Sequence, residues 1–485
     1  MIVASNSRIL VSLCCFMLAV VSGCAVNPVT GQQELMLLSE PQERQMGGQT
    51  DQAVIEQYGL YPDTPLNSYI EGLGQPMARL SHRPELGWSF KVMDTPVVNA
   101  FAAPGGYIYV TRGLLAAVND EAELAGVLGH EIGHVTARHS ARKYSQMMLT
   151  NLGVGLGISL AGDYGELLGP LLQAGTGLLF LKFSRDDERQ ADALGVEYAS
   201  KAGFDAGKLA DFFTSLERMS SLDGGDGGRL PEFFSTHPNP VNRQASVREM
   251  AARWQAERPG QAVRVNRDGY LQRIDGMVYG DDPRQGFLEG DWFYLPELGV
   301  QFRVPADWNF AREGQQIQMA SPDQKGLIFF EVKQGAEIAP LAASFVTDLK
   351  AELARSVNGT KAGMPSLQQV LVVTDQGKRA VIQSEYIQGQ GKVLAFHGMT
   401  AEADFAKLQQ SLTLPVDSFS AIRDQAKRNP QPRRIHVEQV RRPASLQTFL
   451  QSAKIEKTLW EKIAWMNGMS LGDQLSAGQR IKTVR

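Results

Sequence analysis

Cysteine is scarce in this sequence of 485 residues. Its three cysteines, Cys14, Cys15 and Cys24, all lie near the start of the chain. An apolar run from Ile9 to Val21 surrounds the first two; it is too short to cross a bilayer but suits the core of a secretory signal. We therefore expect a signal peptide over residues 1–23 that is removed with Cys14 and Cys15. Only Cys24 then remains, which excludes an internal disulfide bond.

The sequence also lacks a strong charge of either sign. Its formal net charge is -4, and no basic stripe with interleaved aromatic residues is present, which argues against nucleic acid as a partner. The hydrophobic content of 43% is enough for a full core, and the length favours two or three domains. Protein or envelope material is therefore the expected partner.

A short motif precedes the remaining cysteine. Val21-Ser22-Gly23-Cys24 resembles the lipobox of bacterial lipoproteins, in which the signal is cut before a cysteine and the thiol is acylated. The alternative is an ordinary cleaved signal followed by an incidental cysteine, but the small residues favour lipidation. Ala25 is not the aspartate that typically retains such lipoproteins at the inner membrane. The resemblance thus implies a chain that is lipid-anchored on the periplasmic side of the outer membrane.

The periodicity of the remaining chain indicates an α+β fold class with several domains. A mainly helical domain is expected over residues 24–258, with a small β-sheet from three strands, Phe90–Met93, Val97–Ala102 and Tyr107–Val110. An α+β domain of unassigned role is expected over residues 259–422, with a helix near Ala342 to Ser356. It contains no catalytic constellation, and its isolated His397 is interpreted as a surface or packed histidine.

The end of the chain differs from both domains. Residues 423–442 are basic and contain proline, which predicts a solvated linker. Residues 443–485 resemble the second half of a LysM peptidoglycan-binding module, with a helix, an Asn-containing loop and a Gly-Gln-x-hydrophobic strand. The early Gly-Asp-Thr-Leu signature of such modules is replaced at 442–446. The module is therefore degenerate, and peptidoglycan stays an open candidate partner.

The segment His130-Glu131-Ile132-Gly133-His134 has the pattern H-E-x-x-H. On a helix, residues four apart share one face, so the imidazoles of His130 and His134 can reach one tetrahedral ion. Glu131 is turned away from that face and can meet the attacking water. The motif is short enough to occur by chance, but its flanks are compatible with a helix and contain no proline.

A zinc hydrolase needs a third protein ligand and keeps the fourth position for water. The charged segment 184–192 supplies a candidate, because Glu188 and Asp192 are again four residues apart. Glu188 can bind zinc while Asp192 accepts a ring N–H from a ligand histidine. Alone, this segment would be interpreted as a solvated helix face; its conjunction with H-E-x-x-H predicts a metal centre.

With these motifs, the chain resembles the CAAX prenyl protease, HtpX and BepA-like family of gluzincin zinc peptidases, from about Asn27 to Met250. The resemblance lies in four segments: Asn99–Ala102 with Pro104-Gly105-Gly106, His130–His139, Arg185–Asp192, and Ser235-Thr236-His237-Pro238. It implies one Zn²⁺ per chain, held by His130, His134 and Glu188. Glu131 would be the catalytic carboxylate of a zinc-dependent endopeptidase.

The same resemblance implies how substrate is recognised. Asn99, Ala100, Phe101 and Ala102 would form an open-edged strand along the cleft, to which an extended substrate adds through backbone hydrogen bonds. Such recognition reads backbone more than side chain, so unfolded or misassembled envelope proteins are the expected substrates. His237 would be either a fourth metal ligand that holds the enzyme latent or a group that stabilises the oxyanion. The alternative without a catalytic role is a solvated loop histidine.

Three further interpretations stay open at this point. The Gly- and Leu-rich segment from Leu149 to Phe183 fails as a membrane span because charges and a proline interrupt it, and it is equally well a mobile lid or ordinary helical packing. His82 and His139 are expected to be structural. The competing functions are a non-catalytic periplasmic chaperone and a cell-wall-binding scaffold, although a structural metal site has no need of a base such as Glu131.

Overall fold

The computed structural model describes residues 24–153, 182–223, 232–238, 242–313, 316–375, 377–389 and 391–485. The predicted signal peptide, most of the Gly- and Leu-rich segment and the glycines from Gly224 to Gly228 lie outside these residues. Within the described ranges, no helix is both long enough and apolar enough to cross a membrane. The architecture is α+β, as predicted, with a mainly helical domain followed by a β-rich region.

A β-hairpin and two helices open the described chain. The hairpin pairs β1 (Cys24–Val26) with β2 (Gln33–Leu35). Helix α1 (Glu40–Tyr58) begins after Ser39, whose N–H and hydroxyl both bond the Gln42 side chain. Helix α2 (Thr64–Arg79) begins after Asp63, which accepts a bond from the Leu66 N–H.

A three-stranded sheet then leads into the central helices. Its strands are β3 (Ser89–Met93), β4 (Ala100–Ala103) and β5 (Tyr107–Thr111), in the order β3-β5-β4. Strand β5 passes directly into α3 (Arg112–Ala117), and α4 (Glu121–Thr136) follows. The predicted strand Val97–Ala102 is therefore shorter and shifted, because the chain before Ala100 bonds mainly to the side chain and N–H of Thr111.

The rest of the helical layer packs around α4. Its members are α5 (His139–Gly153), α6 (Arg185–Lys201), α7 (Lys208–Asp223), α8 (Glu232–Thr236), α9 (Arg243–Ala256) and α10 (Arg267–Ile274). Every residue of α4 is buried, so this helix forms the centre of the domain. Tyr270, Leu271 and Ile274 of α10 belong to the same hydrophobic core. The core of the helical domain thus continues past the expected boundary at residue 258.

The middle region forms two sheets. The small sheet contains β6 (Phe287–Glu289), β7 (Trp292–Leu295), β8 (Val300–Arg303) and β16 (Ser420–Ala421). The large sheet contains β9 (Asn309–Glu313), β10 (Gln316–Ala320), β11 (Gly326–Gln334), β12 (Glu352–Lys361), β13 (Met364–Asp375), β14 (Lys378–Gln388) and β15 (Lys392–Ala401), in the order β12-β13-β14-β15-β11-β10-β9. Helices α11 (Ile338–Asp348) and α12 (Glu402–Asp417) pack on the large sheet.

The helix predicted near Ala342 to Ser356 is only partly correct. Helix α11 ends at Asp348, and Lys350 takes a left-handed conformation with φ of 50°. The chain from Glu352 then pairs with β13 as an antiparallel strand. Its Glu, Leu, Ala and Arg residues favour helix locally, but hairpin pairing with β13 across the turn at Ala362 and Gly363 outweighs that preference. His397 is buried, bonds Ser384 and stacks on Phe345, so it is a packed histidine, one of the two interpretations offered for it.

The last region is a βααβ unit, which follows the short helix α13 (Gln425–Arg428). The unit consists of β17 (Ile435–Gln439), α14 (Leu446–Ser452), α15 (Trp460–Met466) and β20 (Arg480–Val484). Two short strands, β18 (Ala444–Ser445) and β19 (Gln474–Leu475), pair with each other within it. Strand β17 pairs with β20, so the stretch expected to be a solvated linker contains the first strand of the unit. The buried side chains of Ile435 and Val440 explain this difference, since they need a partner core.

The βααβ unit packs on the helical domain. The ammonium group of Lys482 is buried and donates to the carbonyl oxygens of Ala116 and Val118, at 2.8 Å each. Burial lowers the pKa of this lysine. The indole N–H of Trp465 donates to the Ser215 carbonyl at 2.6 Å. The end of the chain thus touches α3 and α7, the helices that flank α4.

Candidate metal centre

The H-E-x-x-H motif lies on α4, whose start is fixed by Asp120. The Asp120 carboxylate accepts a bond from the Glu123 N–H, as an N-terminal cap does. Three glycines let α4 approach α6 closely. A Cβ at Gly129 would lie 2.9 Å from the Gly195 carbonyl oxygen, one at Gly195 would lie 3.0 Å from the His130 nitrogen, and one at Gly133 would lie 3.1 Å from the Leu194 Cβ. This approach brings Glu188 on α6 to the imidazoles on α4.

Four buried side chains converge at this point: His130, His134, Glu188 and His237 each offer a ligand atom, and these atoms lie within 4.8 Å of one another. The two ring Nε2 atoms of His130 and His134 are 3.0 Å apart. The Glu188 carboxylate lies 3.4 Å from His134 Nε2 and 3.5 Å from His130 Nε2. The structure thus brings together the three predicted ligands and the predicted fourth group.

Glu131 lies beside this cluster but is not part of it. Both of its carboxylate oxygens are buried and make no hydrogen bond in the described chain, and His237 Nε2 lies 3.7 Å from one of them. Burial raises the pKa of Glu131. A buried carboxylate without a donor from the described chain is costly, so Glu131 is suited to accept a hydrogen bond from water. A carboxylate placed and tuned in this way suits proton transfer to and from a water molecule.

His237 follows α8 and is held from two sides. Its ring stacks on Phe233 with centroids 4.6 Å apart, and its Nδ1 lies 3.0 Å from Glu188 and 3.3 Å from His130 Nε2. Burial alone would lower the pKa of His237, but the carboxylates of Glu188 and Glu131 raise it overall. The side chain is buried, which excludes the solvated loop histidine.

The carboxylate of Glu188 is tuned by the same neighbours. Burial alone would raise its pKa, but His237 and His134 hold the pKa well below its usual value. The guanidinium of Arg243 also lies 3.2 Å from this carboxylate. Glu188 is therefore ionised, which is the state required of a metal ligand.

Asp192 has the position predicted for it, next to a ligand histidine. Its carboxylate accepts from His130 Nδ1 at 2.9 Å, which leaves Nε2 of that ring to face the cluster. Arg243, on α9, holds Asp192 through two bonds of 2.7 and 2.8 Å. Its guanidinium lies over the Phe213 ring, 3.8 Å from the centroid. No sequence pattern points to Arg243, because a single arginine at a helix start carries no signal of a contact 51 residues away.

His139 plays a similar part for the other ligand histidine. Gln190 Oε1 lies 2.9 Å from His139 Nε2, and His139 Nδ1 lies 2.9 Å from His134 Nδ1. A carbonyl oxygen only accepts, so His139 carries its proton on Nε2 and accepts from His134 through Nδ1. His134 Nε2 then faces the cluster unprotonated. His139 is thus structural, as expected, but no sequence pattern indicates its contact with a ligand histidine. The other expected structural histidine, His82, bonds Tyr198 at 2.6 Å.

The predicted substrate strand lies at an edge of the three-stranded sheet. Ala100, Phe101 and Ala102 belong to β4, which packs against α4 and, among the residues that the structure describes, pairs only with β5. Asn99 precedes the strand, and its side-chain oxygen is buried without a hydrogen-bond donor. The strand therefore offers an unpaired backbone edge next to the helix that carries Glu131.

The donor set tests which ion the cluster suits. Imidazole nitrogens with one carboxylate are typical zinc ligands, and the outer contacts of His130 and His134 leave a ring nitrogen of each facing inward. The two unsatisfied oxygens of Glu131 fit a water molecule held beside an ion. These residues therefore fit Zn²⁺, as predicted from the sequence.

Comparisons with known proteins agree with this chemistry. The sequence pattern of peptidase family M48 matches residues 65–251. The putative beta-barrel assembly-enhancing protease of Vibrio cholerae is 28% identical over 295 residues, which cover 59% of this chain and 56% of that protein. The mitochondrial metalloendopeptidase OMA1 of Schizosaccharomyces pombe is 32% identical, with 48% of this chain and 67% of that protein covered.

A third relative is the beta-barrel assembly-enhancing protease of Escherichia coli. It is 30% identical over 255 residues, which cover 51% of this chain and 50% of that protein. The chain thus spans between half and two thirds of the length of these three relatives. The matched family region contains α4, α6 and the cluster between them.

Proposed function

Because the chain belongs to peptidase family M48, whose members are zinc metallopeptidases, we propose that it is a zinc-dependent endopeptidase of the bacterial periplasm. The observation that carries the proposal is the convergence of His130, His134 and Glu188 beside the unpartnered carboxylate of Glu131. A site built only to stabilise the fold would not need that carboxylate. Its presence therefore disfavours a non-catalytic chaperone or scaffold.

The residues divide the work of peptide-bond hydrolysis among them. Zinc, when bound by His130, His134 and Glu188, supplies Lewis acidity toward water and the scissile carbonyl. Glu131 takes the proton of the attacking water and passes it to the leaving nitrogen. Asp192 and His139 fix the ring orientation of the two ligand histidines. Arg243 in turn fixes Asp192, so the site is preorganised over two layers of contacts.

The open edge of β4 supports a broad substrate class. An extended polypeptide can add to this edge through backbone hydrogen bonds, which do not depend on the side-chain sequence. Only unfolded segments can adopt that extended form along the strand. We propose unfolded or misassembled envelope proteins as the substrates, in keeping with the names of the bacterial relatives, which refer to beta-barrel assembly.

The first test of this function is metal dependence with a generic unfolded substrate. We expect the purified chain from residue 24, carrying Cys24→Ala to prevent lipidation, to hold one zinc ion and to cleave casein. A chelator should abolish cleavage, and added zinc should restore it. Zinc content measured by mass spectrometry and casein fragments seen on gels report the two quantities separately. Casein that is kept soluble but never cut would instead indicate the chaperone function.

The proposed location is tested through the lipid anchor. We propose that Cys24 is acylated and that the lipid anchors the chain to the outer membrane, facing the periplasm. Expressed in a Gram-negative host, the chain should incorporate labelled palmitate and fractionate with the outer membrane. Cys24→Ala should lose the label, and Cys24→Ser should behave in the same way. Palmitate label that persists in either variant would show that Cys24 is not the acylated residue.

A further inference from the structure

The start of the described chain carries exposed apolar side chains. Val26 in β1 and Leu37 after β2 are 53% and 37% exposed, and Met147 and Met148 in α5 are 41% and 42% exposed. Large apolar side chains in a contiguous exposed group mark an interaction surface more often than a free surface. We refer to these four residues as the N-terminal apolar surface.

These residues belong to two elements that pack on each other. The Leu37 N–H donates to the Ser145 hydroxyl at 2.9 Å, which fixes the chain after β2 against α5. Beneath this contact, Met36, Leu38 and Ala141 form a small buried cluster. Met148 lies three residues beyond Ser145, about one helical turn, so it follows Ser145 on the same side of α5. Leu37 and Met148 thus lie next to this packed junction.

The backbone of Cys24 lies in the same hairpin. Cys24 pairs with Leu35 in the β1–β2 ladder, two residues before Leu37. A chain attached to this cysteine would therefore start beside the N-terminal apolar surface. Lys143, one turn before Met147, adds a cationic side chain to this part of α5, which suits an anionic lipid headgroup.

From this arrangement we infer that the N-terminal apolar surface rests in the interface of a lipid bilayer. The partner of this surface is the membrane itself, because the proposed acyl anchor at Cys24 and the exposed apolar side chains lie in the same part of the protein. An acyl chain alone tethers a protein without orienting it, whereas apolar side chains inserted beside the anchor fix one face toward the lipid. The inference rests on the proposed function only in taking the chain to work at a membrane.

The orientation has a consequence for the substrate. Helix α5 starts at His139, which bonds the ligand His134, and Met147 lies eight residues further along that helix. At the rise of an α-helix this separation is about 12 Å. The metal centre would then lie close to the bilayer surface. Polypeptide segments that are exposed at that surface are the substrates that this geometry favours.

The test places a fluorophore on the surface in the absence of the lipid anchor. In the chain with Cys24→Ala no other cysteine of the mature sequence remains, so Met148→Cys can be labelled alone with an environment-sensitive dye. Vesicles of phosphatidylethanolamine and phosphatidylglycerol should shift the emission of this dye to the blue. The matched control is Val357→Cys, an equally exposed position at 42%, which lies in β12 of the middle region. Its emission should not change.

A second pair of variants measures binding without a label. Leu37→Asp with Met148→Asp should lower the fraction of protein that floats with the vesicles by about tenfold or more, because two apolar groups are replaced by charges. Leu353→Asp with Val357→Asp, at positions of similar exposure, should leave flotation unchanged. Equal dye shifts at residues 148 and 357, or no shift at residue 148, would overturn the inference. Labelled palmitate on Cys24 is measured separately, so loss of the anchor and loss of the surface can be told apart.

Discussion

Replacing Glu131 with glutamine is expected to abolish peptide hydrolysis while zinc stays bound. The carboxylate lies beside the ligand cluster, but neither of its oxygens is within bonding distance of a described donor. Glutamine has nearly the same size and keeps one acceptor oxygen, but it cannot take a proton from water. Loss of a general base typically costs between about 10² and 10⁴ in rate, so we expect turnover of casein to fall by roughly a thousandfold.

The measurement pairs turnover with metal content. Glu131→Gln should hold as much zinc as the unchanged chain, because the ligand atoms of His130, His134 and Glu188 remain. The same substitution at the neighbouring ligand, Glu188→Gln, should instead lose zinc and activity together. Glu197→Gln, on the same helix as Glu188 but paired with Lys201, should change neither. Full turnover in Glu131→Gln would exclude the proposed mechanism.

The elements that could be predicted from the sequence are those whose causes are local. Asp120 caps α4, and Ser184 with Asp187 caps α6, so the two helices that carry the metal motifs begin where short-range chemistry places them. The four-residue spacing of His130 and His134 then puts both rings on one face. This spacing together with Glu188 predicts a zinc site, the resemblance in four motif segments predicts the family, and the comparisons confirmed both.

The parts that could not be predicted depend on contacts between distant residues. Arg243 reaches Asp192 only because α9 packs across α6, and no local sequence pattern predicts that packing. The segment that contains the first strand of the βααβ unit is predicted as a linker because arginines flank the short stretch with the buried Ile435 and Val440. Strand β12 is predicted in part as helix for a different reason: its own residues favour helix, whereas its pairing with β13 depends on the residues of the turn and of the next strand.

The contact between the βααβ unit and the helical domain bears on the cell-wall-binding hypothesis. Asn467 holds β20 in place through the Lys482 backbone, and the neighbouring Gly468 carbonyl accepts a bond from Arg218 on α7. The Asn-containing loop that resembles LysM is therefore engaged within the chain. This structural role accounts for the motif without a glycan ligand, and peptidoglycan binding stays a prediction.

Replacing His237 with alanine is expected to raise turnover rather than lower it. His237 Nδ1 lies near His130 and Glu188 in the ligand cluster, where it can serve as a fourth ligand. A catalytic zinc site needs that position for water, so an enzyme with His237 bound would be latent. If the latent form holds about nine tenths of the molecules, removing the side chain should raise casein turnover by about tenfold. Zinc should stay bound through the other three ligands.

The alternative is that His237 donates a hydrogen bond to the oxyanion, from its position 3.7 Å from Glu131. In that case His237→Ala should lower turnover by roughly a hundredfold with zinc retained, which would contradict latency. Because alanine leaves a cavity under Phe233, His237→Gln serves as a second variant, and unfolding temperatures identify any loss of structure. His436→Ala, at a histidine in β17, is the control. An unchanged turnover rate in both His237 variants would reject both roles, because removing a group that neither blocks nor assists the reaction does not change the rate.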